Sequence, residues 1–291
     1  MLVILLGLGT ALSYGFADFF AALAGRRVRI IYVTCLAAIS GLVLLLALSL
    51  PMGASFTPEA IAVGMAGGVF SIIALTALYA SLALGPISVI SPLGALVSAV
   101  VPTILGVIWL GERFGELGWF AILLGMVAVV LVAMVPGEKV IRPSNRAIVL
   151  AVIAGIGIGL AVTAIDRAPA DSGLATVIVL RMTAAVGLGV IAAGLMLRRQ
   201  TPGKNDEGWR LGGRTWLLII VTGLLDACAN VLFLLASREG GLAVVGVLTA
   251  LYPLGTILLA RIFLKERLAA VQKLGVVLAL TTSSLLAISA N

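Results

Sequence analysis

The sequence predicts an all-α integral membrane protein in which ten transmembrane helices form two inverted five-helix repeats. Its composition predicts the membrane environment, because 62% of the 291 residues are hydrophobic and 11% are charged, whereas soluble domains are roughly 25% charged. A helix that crosses the hydrocarbon layer needs about 20 apolar residues. Ten such helices with short loops would use nearly the whole chain, and a motif that recurs in both halves predicts the repeat.

Ten apolar runs are separated by charged residues, proline or glycine. None alternates with the period of a barrel strand, and lipid offers no partner for free backbone groups, so each run is predicted to be a helix. The runs are Leu2 to Leu23, Ile30 to Leu50, Ala60 to Leu82, Ile87 to Leu110, Leu117 to Val135, Ala147 to Ile165, Leu174 to Leu197, Trp216 to Ala236, Leu242 to Leu264 and Leu268 to Ile288.

A polar stretch at the midpoint divides the chain into two halves. We predict an N-terminal repeat at 1–136, a connecting loop at 137–146 and a C-terminal repeat at 147–291. The motif WLGERF at 109–114 recurs as FLKERL at 263–268, which is 154 residues further on. Since five spans per half is an odd number, the second half enters the membrane in the opposite sense. Inverted repeats of this kind are typical of carriers that expose a central site to each side in turn.

The segments YGFADFF at 14–20, WLGER at 109–113, DRAPADSG at 166–173 and ALYPLGTILLARIFLKER at 250–267 resemble the EamA-type members of the drug/metabolite transporter superfamily. One departure is Lys265, where that family usually has glycine. The resemblance implies a ten-helix secondary transporter, more often an exporter, of small polar metabolites such as amino acids or related compounds. It implies no cofactor, no metal and no enzymatic activity.

Asp226 is the clearest candidate for a transport residue. It lies about ten residues from either end of its apolar run, and a charge at that depth costs about 2.5–3.5 kcal/mol on insertion scales. Asn230 follows four residues later and therefore shares the same helix face. The two residues could form a site for a substrate amine or a proton, or Asp226 could bond to a neighbouring helix.

Arg181 and Asp18 are the other ionisable residues inside apolar runs. Arg181 could pair with Asp226, bind a substrate carboxylate in bidentate fashion, or extend to the membrane surface. Asp18 follows Tyr14 by one helical turn, and both are candidates for the transport site. Asp18 could face either a cavity or the basic segment 26–29.

Two tyrosines and three prolines complete the set of candidates. Tyr79 and Tyr252 could line a cavity or belong to the interfacial aromatic belt. Pro92, Pro102 and Pro253 interrupt the fourth and ninth runs, where a proline frees a carbonyl group and bends a helix. Such bends suit a gating motion, although transmembrane helices also tolerate inert kinks.

The expected partners are a small-molecule substrate and membrane lipid, with no nucleic acid, in a multi-pass protein of the cell (plasma or inner) membrane that is a monomer or homodimer. The sequence has no histidine, so proton coupling would have to use a buried carboxylate, for which Asp226 is the best placed. Two other function classes stay open at this point. One is an intramembrane aspartyl protease with Asp18 and Asp226, and the other is a membrane scaffold that transports nothing.

The basic residues give an indication of orientation. With ten spans, 15 of the 19 Lys and Arg residues flank the loops after spans 1, 5, 7 and 9, and only Arg113, Arg167 and Arg238 flank the others. The positive-inside rule therefore predicts both termini outside, whereas the family resemblance implies cytoplasmic termini.

Overall fold

A computed structural model describes residues 1–84, 87–134, 143–197, 212–263 and 269–289. Within these ranges the secondary structure is almost entirely helical, with one short 3-10 helix at Ala170–Ser172. The α-helices are α1 Leu2–Gly25, α2 Ile30–Met52, α3 Pro58–Leu84, α4 Ile87–Ile108, α5 Glu116–Ala133, α6 Asn145–Asp166, α7 Ala175–Leu197, α8 Gly213–Glu239, α9 Leu242–Thr249, α10 Pro253–Phe263 and α11 Ala270–Ser289.

Six helices in the described part of the chain are long and apolar enough to cross a membrane. They lie in α1, α2, α3, α6, α7 and α8, and shorter apolar helices occur in α4, α5, α9–α10 and α11. Large apolar side chains such as Leu5, Val43 and Val190 are more than half exposed on the outer surface, which costs little where the solvent is lipid. The prediction of a helical, multi-pass membrane protein is confirmed.

Helices of the first half pack against helices of the second half in a reciprocal pattern. Helix α1 packs against α8, while α3 packs against α6. Helices α2 and α7 contact each other, as do α4 and α9, and α5 and α11. The core therefore lies between the two halves rather than within either one.

Small residues also permit a close contact between α2 and α8. A Cβ atom added to Gly41 would lie 2.7 Å from the carbonyl oxygen of Gly223, and one added to Gly223 would overlap Ser40 Oγ and the carbonyl of Ala37. Close backbone approach at small residues is a common basis of helix association in membranes.

The ninth predicted span is divided in two by an irregular turn. Helix α9 ends at Thr249 and α10 begins at Pro253. The turn is closed by hydrogen bonds from Leu251 N–H to the Leu248 carbonyl, 3.2 Å, and from Tyr252 N–H to the Thr249 carbonyl, 3.0 Å. Because Pro253 has no N–H group, the regular helical hydrogen-bond pattern stops here. Pro102, by contrast, lies within the continuous helix α4.

The α2–α3 and α6–α7 loops are joined by backbone hydrogen bonds. Ser55 N–H donates to the carbonyl of Ser172 and Leu174 N–H donates to the carbonyl of Gly53, each at 3.0 Å. Gly173 has φ 57°, a backbone conformation that glycine adopts without strain. This connection holds two loops from different halves together at one end of the helix bundle.

Candidate functional site

A cavity of about 230 Å³ lies between the two halves. Helices α1–α4 of the first half and α6–α9 of the second line it, together with the turn before α10, and most of the lining side chains are small or apolar. The lining residues with polar side chains are Tyr14, Asp18, Thr34, Ser71, Ser98, Arg181, Thr222, Asp226, Asn230, Thr249 and Tyr252. Six of the predicted site residues are thus brought to one cavity, namely Tyr14, Asp18, Arg181, Asp226, Asn230 and Tyr252.

An ion pair between Arg181 and Asp226 crosses from α7 to α8 at the cavity wall. The side chains retain 12% and 27% exposure, respectively. The Arg181 Nε is buried and has no hydrogen-bond partner among the described residues. Of the partners considered for Arg181 from the sequence, the structure shows Asp226.

Asn230 and Tyr14 extend this ion pair into a polar chain. Asn230 Nδ2 donates to the backbone carbonyl of Asp226 at 2.6 Å and lies 3.5 Å from Asp226 Oδ2. The Tyr14 hydroxyl donates to Asn230 Oδ1 at 3.1 Å. Three helices from both halves, α1, α7 and α8, therefore contribute to one connected polar group. Thr222 precedes Asp226 by four residues on the same face of α8 and also lines the cavity.

Asp18 lies one turn beyond Tyr14 on α1 and is exposed to the cavity. No hydrogen bond or ion pair joins its carboxylate to any residue in the described ranges. The basic segment 26–29 was the alternative neighbour considered for Asp18. Its residue Arg27 lies within hydrogen-bonding distance of Thr215 Oγ1, at 3.5 Å. Tyr14, one turn earlier on α1, and Tyr252 line the same cavity.

The turn between α9 and α10 contributes a second unpaired polar group. Thr249 is 7% exposed and lines the cavity, and its Oγ1 has no hydrogen-bond partner in the part of the chain that the structure describes. Tyr252 lines the cavity from the same turn. The turn is held against α1, because Thr256 Oγ1 donates to the carbonyl of Gly15 at 2.9 Å.

The remaining candidates differ in their placement. Pro102 lies opposite Gly246 of α9, where an added Cβ would come within 2.6 Å of the proline ring. Pro253 is the first residue of α10. The side chains of Tyr79 and Pro92 lie outside the described residues. No group of three or more His, Cys, Asp or Glu side chains that could hold a metal occurs within the described ranges.

Glu112 has a role that its sequence context does not reveal. Its carboxylate accepts backbone N–H groups from Leu242 at 2.5 Å and Ala243 at 3.1 Å, and so caps the N-terminus of α9 in the other half. Nearby, Arg167 stacks over the ring of Trp109. These contacts link the two halves at the same end as the backbone connection between the α2–α3 and α6–α7 loops.

Comparisons with known proteins agree with this architecture. No curated protein matches the sequence. A crystal structure described only as that of a protein superposes with a TM-score of 0.77 over 98% of this chain and 96% of the other, at 17% sequence identity, which shows a shared fold. The family model of the EamA-like transporter family matches twice, at residues 1–134 and 145–288. The chain therefore belongs to the EamA-like transporter family, a family of membrane transporters within the drug/metabolite transporter superfamily.

Proposed function

We propose that this protein is a secondary transporter that exports small polar metabolites, such as amino acids or related compounds, by alternating access through the cavity between its halves. The observation that carries the proposal is the connected polar group of Arg181, Asp226, Asn230 and Tyr14 in a cavity wall whose lining side chains are mostly small or apolar. Ionisable side chains inside a membrane are costly and usually mark a substrate or ion pathway. Export is the direction that the family resemblance implies.

Ten membrane spans in two inverted repeats are part of the proposal. The twofold family match and the reciprocal packing of helices across the halves support two equivalent five-helix units. If α9 and α10 together form one span, the α2–α3, α4–α5, α6–α7 and α8–α9 loops share one side. The hydrogen bonds between the α2–α3 and α6–α7 loops, and from the start of α9 to Glu112, agree with that assignment.

Contacts at the opposite end of the bundle agree as well. Arg27, after α1, contacts Thr215 near the start of α8. Gln272 Nε2, near the start of α11, donates to the carbonyl of Met134 after α5 at 2.9 Å. Both pairs join loops that ten alternating spans place on one side. An odd number of spans per half then makes the repeats inverted, an arrangement that is common among carriers that alternate access by rocking of one half against the other.

Two features of the cavity support a solute site rather than a solid core. The carboxylate of Asp18 and the hydroxyl of Thr249 line the cavity without partners among the described residues. A buried hydroxyl that lacks a partner costs about 1–3 kcal/mol. A polar solute or water in the cavity would satisfy both groups, whereas a scaffold protein has no need of them.

The proposed partners are a small-molecule solute and the lipid of the cell membrane, with the protein acting as a monomer or homodimer. Proton coupling is included as a hypothesis, in which a carboxylate of the cavity carries the proton. Asp226 was the best placed carboxylate from the sequence, but its ion pair with Arg181 makes the unpaired Asp18 the better candidate. The same ion pair argues against an aspartyl protease, since it occupies one of the two aspartates that such an enzyme would use.

Transport by purified protein in lipid vesicles tests the proposal. Vesicles are loaded in turn with radiolabelled amino acids, amines and sugar phosphates, and solute movement is compared for the wild type, Asp226→Asn and the exposed loop variant Asp171→Asn. We expect movement of at least one solute by the wild type and by Asp171→Asn, and loss of it in Asp226→Asn. Cleavage of a transmembrane peptide would instead identify a protease, and neither activity would identify a scaffold.

A further inference from the structure

The charges at the cavity wall do not balance. Among the described residues, the acidic and basic side chains that line it are Asp18, Arg181 and Asp226. Arg181 and Asp226 neutralise each other as an ion pair, so the ionised form of Asp18 has no counter-charge among these residues. A charge inside a membrane protein is normally paired or serves a function.

The surroundings of Asp18 determine what could balance it. Its carboxylate is exposed to the cavity, and no described residue pairs with it. Tyr14, one turn earlier on α1, and Tyr252 line the same cavity, and the wall on α1 and α2 consists largely of alanine, including Ala21 and Ala38. An anionic group next to aromatic rings and methyl groups is complementary to a cation on an apolar body, because aromatic faces also attract cations.

We propose that the cavity binds a small organic amine, with its ammonium group paired to Asp18 and its apolar or aromatic body against the cavity wall. This inference rests on the proposed transport function and narrows its substrates from amino acids and related compounds to amines. The volume of about 230 Å³ is below the roughly 300–1,000 Å³ of drug-sized sites, so the amine is small.

Other charge types are disfavoured by the same geometry. An anion would be repelled by Asp18 and would find the guanidinium of Arg181 already paired. A zwitterionic amino acid could bind its carboxylate to Arg181 only by displacing Asp226. That displacement leaves a partly buried carboxylate without its partner, which is strongly unfavourable.

The inference is tested with three probes that share one apolar body and differ in charge. They are phenethylamine, a cation; phenylalanine, a zwitterion; and 3-phenylpropionate, an anion. Binding to the purified full-length wild type in detergent is measured by calorimetry, without any transport step. We expect phenethylamine to bind at least about tenfold more tightly than either other probe, which corresponds to one charge-assisted contact.

Variants assign the contact to Asp18. Asp18→Asn should weaken phenethylamine binding roughly tenfold to a hundredfold, whereas Asp171→Asn in an exposed loop should bind within about threefold of the wild type. Asp18→Glu, which keeps the charge, should recover part of the affinity that Asp18→Asn loses. The inference is overturned if the wild type binds phenylalanine or 3-phenylpropionate more tightly than phenethylamine, or does not bind phenethylamine. This test on the wild type holds even if Asp18→Asn cannot be purified. A wild type that moves an anion across vesicles but binds no amine would contradict this inference and leave the proposed function standing.

Discussion

Removing both partners of the Arg181–Asp226 ion pair should destabilise the protein little more than removing one of them. The relevant variants are Arg181→Met, Asp226→Asn and the double variant. A single substitution leaves an uncompensated charge in the cavity wall, where the side chains are 12% and 27% exposed. Loss of one partner of a buried pair costs about 3–5 kcal/mol, and access of cavity water to this pair favours the low end of that range. We therefore expect each single variant to lose about 3 kcal/mol of unfolding free energy.

In the double variant no charge is left unpaired, so the two losses should not add. A coupling energy of about 2–3 kcal/mol is expected between the two sites, within the range for residues in direct contact. Unfolding in mixed micelles by a denaturing detergent, followed by tryptophan fluorescence, measures all four proteins. The double variant should nevertheless fail to transport solute. A double variant whose destabilisation equals the sum of the single variants would refute the reasoning, because the two side chains would then act independently.

Two further predictions concern contacts between the halves, and a third concerns the orientation of the chain in the membrane. Glu112→Gln should lower the unfolding free energy by about 1 kcal/mol through a weaker cap on α9, measured in the same detergent titration, and an equal effect of the exposed Glu59→Gln would contradict the cap. Gly223→Val should cost at least about 1–3 kcal/mol because α8 could no longer approach α2, whereas Gly194→Ala, which meets nothing within 4 Å, should be neutral or slightly stabilising. A reporter fused after Asn291 should be active on the outer side of the membrane, as the distribution of Lys and Arg predicts, and a cytoplasmic signal would favour the orientation that the family resemblance implies.

The helical, membrane-spanning character of the chain could be predicted from the sequence because lipid imposes a simple rule. Long apolar runs must be helices, and the charged residues, prolines and glycines between the runs mark the approximate ends of the helices. The turn between α9 and α10 was predicted only as a kink at Pro253. The sequence does not show that the helix stops at Thr249, since that depends on hydrogen bonds around Leu251 and on the contact of Thr256 with Gly15.

The sequence identifies those site residues whose insertion into the membrane is costly. It does not show which residues of other helices contact them. Depth in an apolar run identifies Asp226, Arg181 and Asp18, and helical spacing adds Asn230. Which of the two acids pairs with Arg181 depends on how α7 and α8, which both pack against α2, are placed around the cavity, and a single sequence carries no signal for that placement. Thr222 could have been found from its four-residue spacing to Asp226, whereas Thr249 and the cap at Glu112 depend on contacts between the halves.

The most direct test of the central claim asks whether the cavity is reached from each side of the membrane in turn. The native Cys35 and Cys228 are replaced by serine, and a single cysteine is placed at Ser71, which lines the cavity, or at Ile73, which is 43% exposed on the outer surface of the same helix.

A membrane-impermeant maleimide is then applied to sealed vesicles from the outside or from the lumen. Alternating access predicts that Ser71→Cys reacts from both sides and that a transported solute slows the reaction, whereas Ile73→Cys reacts slowly from either side. Reaction of Ser71→Cys from one side only, or from neither, whether or not solute is present, would contradict the account.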